Sequence, residues 1–275
     1  TVHILMISWY AAIAPIRIVV IAAFMLGCAA IVYLRFGRPF AALANTFIIS
    51  EIRTERGNAT TIQLQASGHD GTPFHPGQFA WIKVVGSPYS LREHPFSFAS
   101  SAHRPDQPSF TVKALGDFTS SVRSLAVGTP VLIDGPHGAY RPAQPAGGFV
   151  LICGGIGITP AMSILRTHAD GGDMRPMQLI YGVADWSEAT FSDELEALVQ
   201  RIPLDLVVTA SSPGSGWAGR VGRINEQLLR EVLPADAAQR NVVICGPKPM
   251  IESTISSLAS LGIPPHNIYA DRFDS

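Results

Sequence analysis

The junction at residues 149–160 constrains the fold more than any other stretch. An apolar run, Phe149 to Cys153, stops at Gly154-Gly155-Ile156-Gly157, and Thr159-Pro160 then opens an alanine- and leucine-bearing segment that reads as helix through His168. Strand, tight turn and helix follow in that order. Glycines let the backbone approach a ligand with no Cβ in the way, Thr159 can cap the exposed N–H groups, and Pro160 suits the first helical position. The product is a helix N-terminus aimed at an anion, most simply a dinucleotide pyrophosphate. The strict G-x-G-x-x-G spacing is absent, so an ordinary βα turn has the same local signature, and the remainder of the chain decides between them.

Beyond that junction the unit repeats. Strands are predicted at 177–182, 204–209, 241–245 and 267–273, with helices at 192–201, 224–233 and 250–261 between them. Such alternation predicts a doubly wound parallel α/β sheet of about five strands with the glycine turn at its first strand. Upstream, residues 47–52, 60–65, 78–85 and 110–115 alternate apolar with polar at period two, and 130–133 closes the set before Gly135-Pro136. Short strands separated by turns predict an antiparallel β-barrel of about six strands, interrupted by one helix at 118–125. Residues 142–148 read as the linker.

Hydrophobic residues make up 47% of the 275 and charged ones only 15%, which asks for a membrane segment or an unusually large core. Residues 18–34 supply the segment: 17 residues with no charge, no proline and one glycine. As a helix they reach about 26 Å, just short of a hydrocarbon core. Arg17 precedes the run and Arg35 and Arg38 follow it, so the excess of cations puts the second end, and all that follows, on the cytoplasmic side. A secretory signal would start basic and be shorter, whereas residues 1–16 are apolar, with Trp9 and Tyr10 suited to an interface. Residues 4–14 read as the end of a preceding span and 12–17 as an outer turn. With 20 Lys+Arg against 21 Asp+Glu there is no electrostatic footprint for nucleic acid. Cys28, Cys153 and Cys245 are scattered singly, which draws neither a disulfide framework nor a metal-site pattern and fits a reducing compartment.

Three further stretches carry chemistry. In Arg92-Glu93-His94-Pro95-Phe96-Ser97-Phe98, Pro95 makes His94 extended, so His94, Phe96 and Phe98 share one face and Ser97 takes the other. An edge offering backbone groups, a hydroxyl and an imidazole suits a flat heteroaromatic ring such as isoalloxazine; a plain barrel strand with a satisfied histidine is the alternative. Lys113 before Gly116-Asp117-Phe118-Thr119 makes a second anion site or a capped structural helix. Cys245-Gly246-Pro247 ends the fourth parallel strand, where ligands of open sheets sit. No histidine base adjoins Cys245, and a small polarizable residue beside a nicotinamide explains it.

His94-Pro95-Phe96-Ser97, Gly116-Asp117-Phe118-Thr119, Asp134-Gly135-Pro136-His137-Gly138, Gly154 to Pro160 and Cys245-Gly246-Pro247 occur in the order seen in the ferredoxin-NADP reductase superfamily. The H-P-F-S form, behind a membrane helix ending in Arg38-Pro39-Phe40, most resembles its ferric reductase and NADPH oxidase branch. The resemblance implies a membrane segment (1–37), an FAD-binding barrel (38–144) and an NAD(P)-binding domain (145–275). It puts His94, Pro95, Phe96 and Ser97 at the isoalloxazine, with Ser97 beside the reactive ring nitrogen. Lys113, Gly116 and Thr119 would serve the FAD phosphates. Gly154, Gly155, Gly157, Thr159 and Pro160 would hold the NAD(P) pyrophosphate, Cys245 and Gly246 would border the nicotinamide, and Phe273 matches an aromatic that covers the flavin.

The implied activity is a membrane-tethered oxidoreductase that moves electrons from NADH or NADPH through FAD to a haem or external acceptor. Ser97 and Cys245 are its candidate catalytic residues. Haem needs paired histidines on two membrane helices, and only His3 lies in the segment given, so haem requires spans upstream. Tyr181-Gly182-Val183-Ala184-Asp185 contains no arginine for a 2′-phosphate, and Asp185 would repel one. That leans toward NADH, unless Arg220 or Arg223 reaches in. Two alternatives stay open: an FAD-dependent reductase for a soluble carrier or oxygenase, tethered by one helix, and a non-catalytic flavin redox sensor.

Overall fold

A computed structural model describes residues 14–37, 45–84, 92–138 and 147–272. The first element, α1 (Ala14–Val32), continues as a π-helical turn over Tyr33–Gly37. The apolar stretch Pro15–Gly37 is thus 23 residues long, about 35 Å end to end, and contains an 18-residue window of mean hydropathy 2.4. The expected 17-residue run was too short at both ends, because Pro15 to Arg17 join the helix instead of forming an outer turn and Arg35 to Gly37 continue it as the π-helical turn. No part of this stretch is buried against the protein, and it is long and apolar enough to cross a membrane. His3, Trp9, Tyr10 and residues 38–40 lie outside the described residues.

The second unit is the barrel. Its strands are β1 (Thr46–Glu55), β2 (Ala59–Ala66), β3 (Phe79–Val84), β4 (His94–Ser97), β5 (Ser109–Lys113) and β6 (Pro130–His137), in the order β4-β3-β6-β1-β2-β5. All pairs are antiparallel, and a bridge between Phe98 and Phe110 joins the two edges. Alternate residues fill the interior: Phe47 and Ile49, Ile62 and Leu64, Ala80 and Ile82, Phe98, Phe110 and Val112. The expected strand at 130–133 in fact runs on to His137. Asp134-Gly135-Pro136 reads locally as a turn, yet β3 pairs with it as far as Phe79 opposite His137. The expected helix at 118–125 is a short α2 (Asp117–Ser121) followed by a 3₁₀ turn over Val122–Ser124, with Val122 plugged into the barrel core.

The third unit alternates β7 (Phe149–Gly154), α3 (Ile158–Gly171), β8 (Met177–Val183), α4 (Ser192–Val199), β9 (Leu204–Ala210), β10 (Arg220–Val221), α5 (Glu226–Val232), β11 (Asn241–Gly246), α6 (Lys248–Ser260) and β12 (Ile268–Arg272). The sheet is wholly parallel, in the order β10-β9-β8-β7-β11-β12. It has six strands, one more than expected, because the two exposed residues of β10 carry no periodicity. Leu151 and Cys153 pack with α3 and α4 on one face, while Val150 and Ile152 pack with α5 and α6 on the other. A near-continuous apolar strand is what burial on both faces demands. The order reverses between β7 and β11, which opens a crevice beyond their carboxyl ends.

Candidate functional site

The crevice is built around the glycine turn. After Gly154 the chain makes a 3₁₀ turn over Gly155–Gly157 and enters α3 with Gly157 as N-cap and no side-chain cap. Thr159, expected to cap the helix, does not: its hydroxyl donates to Ile156 O at 3.2 Å. The N–H of Ile158 is used within the 3₁₀ turn, donating to Gly155 O and Ile156 O, no side chain caps the N–H groups that follow, and Pro160, inside the first turn, has none to satisfy. The three glycines have separate causes. A Cβ on Gly154 would meet Met250 Sδ at 2.5 Å, and one on Gly157 would meet Cys245 O at 2.4 Å. Gly155 sits at φ +53° with nothing within 4 Å of its Cβ position, so it alone faces open space. Two glycines bring helix and strands together, and the third leaves a cradle.

Two residues that sequence reasoning missed shape this turn. The hydroxyl of buried Tyr181, on the neighbouring strand β8, donates to Gly155 O at 3.1 Å, and burial raises its pKa. Its signal in the sequence was a phenol in a mostly apolar strand, since a buried hydroxyl requires a partner. Met250, the third residue of α6, lies against Gly154 and Gly246. Cys245 and Cys153 are register partners on β11 and β7, each 1% exposed, and burial raises the pKa of Cys153. Cys245 with Gly246 thus closes the crevice floor beside the turn.

The barrel edge forms the other half. His94 stacks on Phe118 with ring centroids 3.7 Å apart and planes 10° off parallel, and Phe96 lies 6.1 Å from the same ring. The structure therefore joins two motifs that are far apart in sequence into one aromatic wall. Partial burial, and then the charge of Arg92, lower the pKa of His94. Pro95 is exposed opposite Trp81. Ser97 is 2% exposed, and its hydroxyl has no hydrogen-bond partner. A buried unpaired hydroxyl costs about 1–3 kcal/mol, so it calls for a ligand group. The aromatic wall on the same strand fits a flat flavin ring. Lys113 ends β5, and the Thr119 hydroxyl accepts from Leu115 N and Gly116 N at 3.0 Å each and donates to Gly116 O. Thr119 thus shapes the turn at Gly116, where a Cβ would meet nothing within 4 Å. Phe273 lies outside the described residues.

At the outer end of β8, the Asp185 carboxylate accepts from Ser187 N at 2.8 Å, from the Ser187 hydroxyl at 2.6 Å and from Gly214 N. The bond from the Ser187 hydroxyl leads in lowering its pKa. Arg220 is engaged by Glu231 at 2.7 Å, and Arg223 is exposed.

An FAD-binding domain family matches residues 46–141, and an oxidoreductase NAD-binding domain family matches 151–255. The chain is similar to the toluate 1,2-dioxygenase electron transfer component of Pseudomonas putida, 29% identical over 229 residues, which are 82% of this chain and 66% of that one. It is 31% identical over 204 residues to the ferredoxin–NAD(P)(+) reductase component of the naphthalene 1,2-dioxygenase/salicylate 5-hydroxylase systems of Ralstonia sp, covering 73% of this chain and 60% of the relative. NADH-cytochrome b5 reductase 1 of Neosartorya fischeri is 30% identical over 156 residues, 54% of this chain and 50% of that one. The chain thus spans between half and about two thirds of these relatives. Among solved structures, the ferredoxin reductase in carbazole 1,9a-dioxygenase superposes with TM-score 0.71 at 24% identity, over 84% of this chain and 69% of that one. Phthalate dioxygenase reductase superposes with TM-score 0.65 at 18% identity, over 85% and 69%. At such identities these two show the fold. The relatives are oxygenase reductase components and cytochrome b5 reductases, not the ferric reductase and NADPH oxidase branch that the H-P-F-S form had suggested. Residues 46–141 and 151–255 thus match FAD-binding and oxidoreductase NAD-binding domains, arranged in the fold that these solved reductases share.

Proposed function

We propose that this protein is an FAD-dependent reductase that takes a hydride from NADH and delivers electrons to a separate protein, an iron–sulfur carrier or oxygenase component. The observation that carries the reading is the buried, partnerless Ser97 hydroxyl on the same short strand as His94 and Phe96, whose rings pack with Phe118. The relatives named as electron transfer and ferredoxin reductase components support the class of acceptor. FAD, when bound, supplies the conversion of a two-electron donor into single electrons. The chain's own residues position. His94, Phe96 and Phe118 hold a flat ring, Ser97 offers its hydroxyl to the ring's rim, and Lys113 with the Gly116–Thr119 turn takes phosphates. Gly155 and the N-terminus of α3 take the nucleotide pyrophosphate, with Cys245 and Gly246 beside the nicotinamide. Anaerobic mixing of the FAD-loaded chain with NADH tests the reading: the flavin absorbance falls. Colour that persists with both NADH and NADPH sinks it and leaves a redox sensor.

Asp185 supports NADH, since its carboxylate is fixed by Ser187 and Gly214 and Arg220 is occupied by Glu231. Replacing Asp185 by arginine is expected to shift the NADPH-over-NADH ratio of kcat/KM by about tenfold or more, because a repulsive charge becomes a phosphate partner. An unchanged ratio places the discrimination elsewhere.

A second reading rests on the apolar stretch Pro15–Gly37, none of which is buried among the described residues. It anchors the reductase in a bilayer with the domains on the cytoplasmic side, and in its ferric reductase-like form electrons pass to haem held by spans upstream. Flotation of the full chain with phosphatidylcholine vesicles, compared with a chain starting at residue 45, tests the anchor. Equal recovery of both in the soluble fraction removes it.

A further inference from the structure

The strand that carries Ser97 continues along β5, with Ala99 N donating to Ser109 O at 2.8 Å, into a segment that also binds α3. Arg166 Nη1 donates to Ala99 O at 2.6 Å, the Ser163 hydroxyl donates to Ser100 O at 2.7 Å, and Ala102 N donates to the Thr167 hydroxyl at 2.9 Å. Residues 163, 166 and 167 share one face of α3, as spacings of three and four require. That helix begins at the Gly155–Gly157 turn. Three side chains of α3 therefore connect the two halves of the site, and Arg166 does so nearest to Ser97: Ala99 is two residues from Ser97, and Arg166 is on the helix that grows from the glycine turn.

Arg166 is itself held rigidly. Its Nε donates to Glu194 Oε1 at 2.7 Å, Nη2 donates to Glu194 Oε2, and the guanidinium lies 4.9 Å from the centre of the Phe191 ring. A planar fork that engages a carboxylate with two nitrogens and a carbonyl with the third fixes direction as well as distance. The side chain is only 15% exposed. The α4 end of this strut is tied to the barrel a second time. Arg56, in the β1–β2 turn, reaches Asp193 at 2.7 Å, and the Thr190 hydroxyl donates to Arg56 O at 3.1 Å. The strut closes a ring that runs from barrel to α3, to α4 and back to barrel.

We infer that Arg166 is a positioning residue for hydride transfer, locking the Ser97 strand to the pyrophosphate helix and so fixing how the nicotinamide and flavin sites face each other. The inference rests on the reductase reading above. Hydride transfer depends steeply on approach, and a misplacement of about 1 Å costs about 100-fold. Methionine at this position keeps the apolar stem and loses all three bonds, whereas lysine reaches one acceptor at a time.

The test uses the full chain loaded with FAD, in wild-type, R166M and R166K forms, mixed anaerobically with NADH. Bleaching of the flavin is expected to slow about 10- to 100-fold in R166M and less in R166K. The primary isotope effect with 4-deuterated NADH rises, while FAD affinity stays within about twofold and oxidation of the reduced flavin by ferricyanide is unchanged. In cofactor-free protein, the Ala102 amide exchanges its hydrogen faster in R166M. Wild-type bleaching in folded R166M, or a loss of FAD affinity that parallels the rate, overturns the inference. If R166M does not fold, S163A, which removes only the Ser100 bond, must slow bleaching about threefold or more, and wild-type bleaching there overturns it equally. If the wild-type protein is not bleached at all, the reductase reading has failed, and hydrogen exchange at Ala102 still reports whether the strut exists.

Discussion

Replacing Gly157 by alanine is expected to damage both the fold and nucleotide binding, by an amount unusual for one methyl group. The backbone at Gly157 is ordinary, with φ −60° and ψ −1°, so no conformational strain is involved. The cause is steric. The new Cβ would stand 2.4 Å from Cys245 O, 2.6 Å from Cys245 C and 2.8 Å from Gly246 N, all backbone atoms of a central strand that cannot rotate aside. Either α3 or β11 must shift, at about 1–3 kcal/mol, and any shift opens the crevice at the strand-order reversal. Thermal unfolding and NADH titration check it: a melting temperature lowered by several degrees and a KM for NADH raised about tenfold or more. Gly155→Ala is the control. It meets no atom within 4 Å but sits at φ +53°, so its cost to the fold is about 1 kcal/mol, and its main effect falls on the ligand. If the two variants lose stability and affinity in the same proportion, the separate roles assigned to these glycines are wrong.

Ser97→Ala is expected to act with opposite signs on stability and on activity. In the cofactor-free protein the Ser97 hydroxyl is buried without a partner, so its removal stabilises by about 1 kcal/mol and raises the melting temperature. In the FAD-loaded protein the same change removes the group that meets the ring's rim, and anaerobic flavin reduction by NADH slows about tenfold or more. Retaining an unpaired hydroxyl at a cost in stability is a mark of a working site. A variant that is less stable without FAD, or that is reduced at the wild-type rate, removes Ser97 from that role.

The sequence made the framework legible because each element follows a period set by burial. Two-sided burial makes 149–153 and 241–245 continuous apolar runs, and one-sided burial makes 47–52 and 60–65 alternate. What escaped depended on partners distant in the chain. Asp134-Gly135-Pro136 has turn chemistry, and only pairing with β3 reveals it as strand. Thr159 looks like a cap, but the 3₁₀ turn advances the cap to Gly157. Of the site, His94, Phe96, Ser97 and the three glycines were readable in local pattern. Phe118 against His94, Tyr181 under Gly155, Met250 against Gly154 and Arg166 across to Ala99 are contacts between elements. No local periodicity encodes them.

The facing cysteines of β7 and β11 also give the molecule a built-in clock. Cys28 on α1 is exposed, whereas Cys153 and Cys245 are buried side by side where the sheet order reverses. A thiol reagent added to native protein is expected to label one site per chain at once. The other two follow together, only as fast as the strands part, because breathing of the core is the only route to them. Counting labelled thiols against time by mass spectrometry then measures how often the crevice opens. Saturating NADH should lengthen that interval, since whatever binds the closed form draws the equilibrium toward it. Three thiols labelled at one rate would mean that this face of the sheet is far looser than its packing implies.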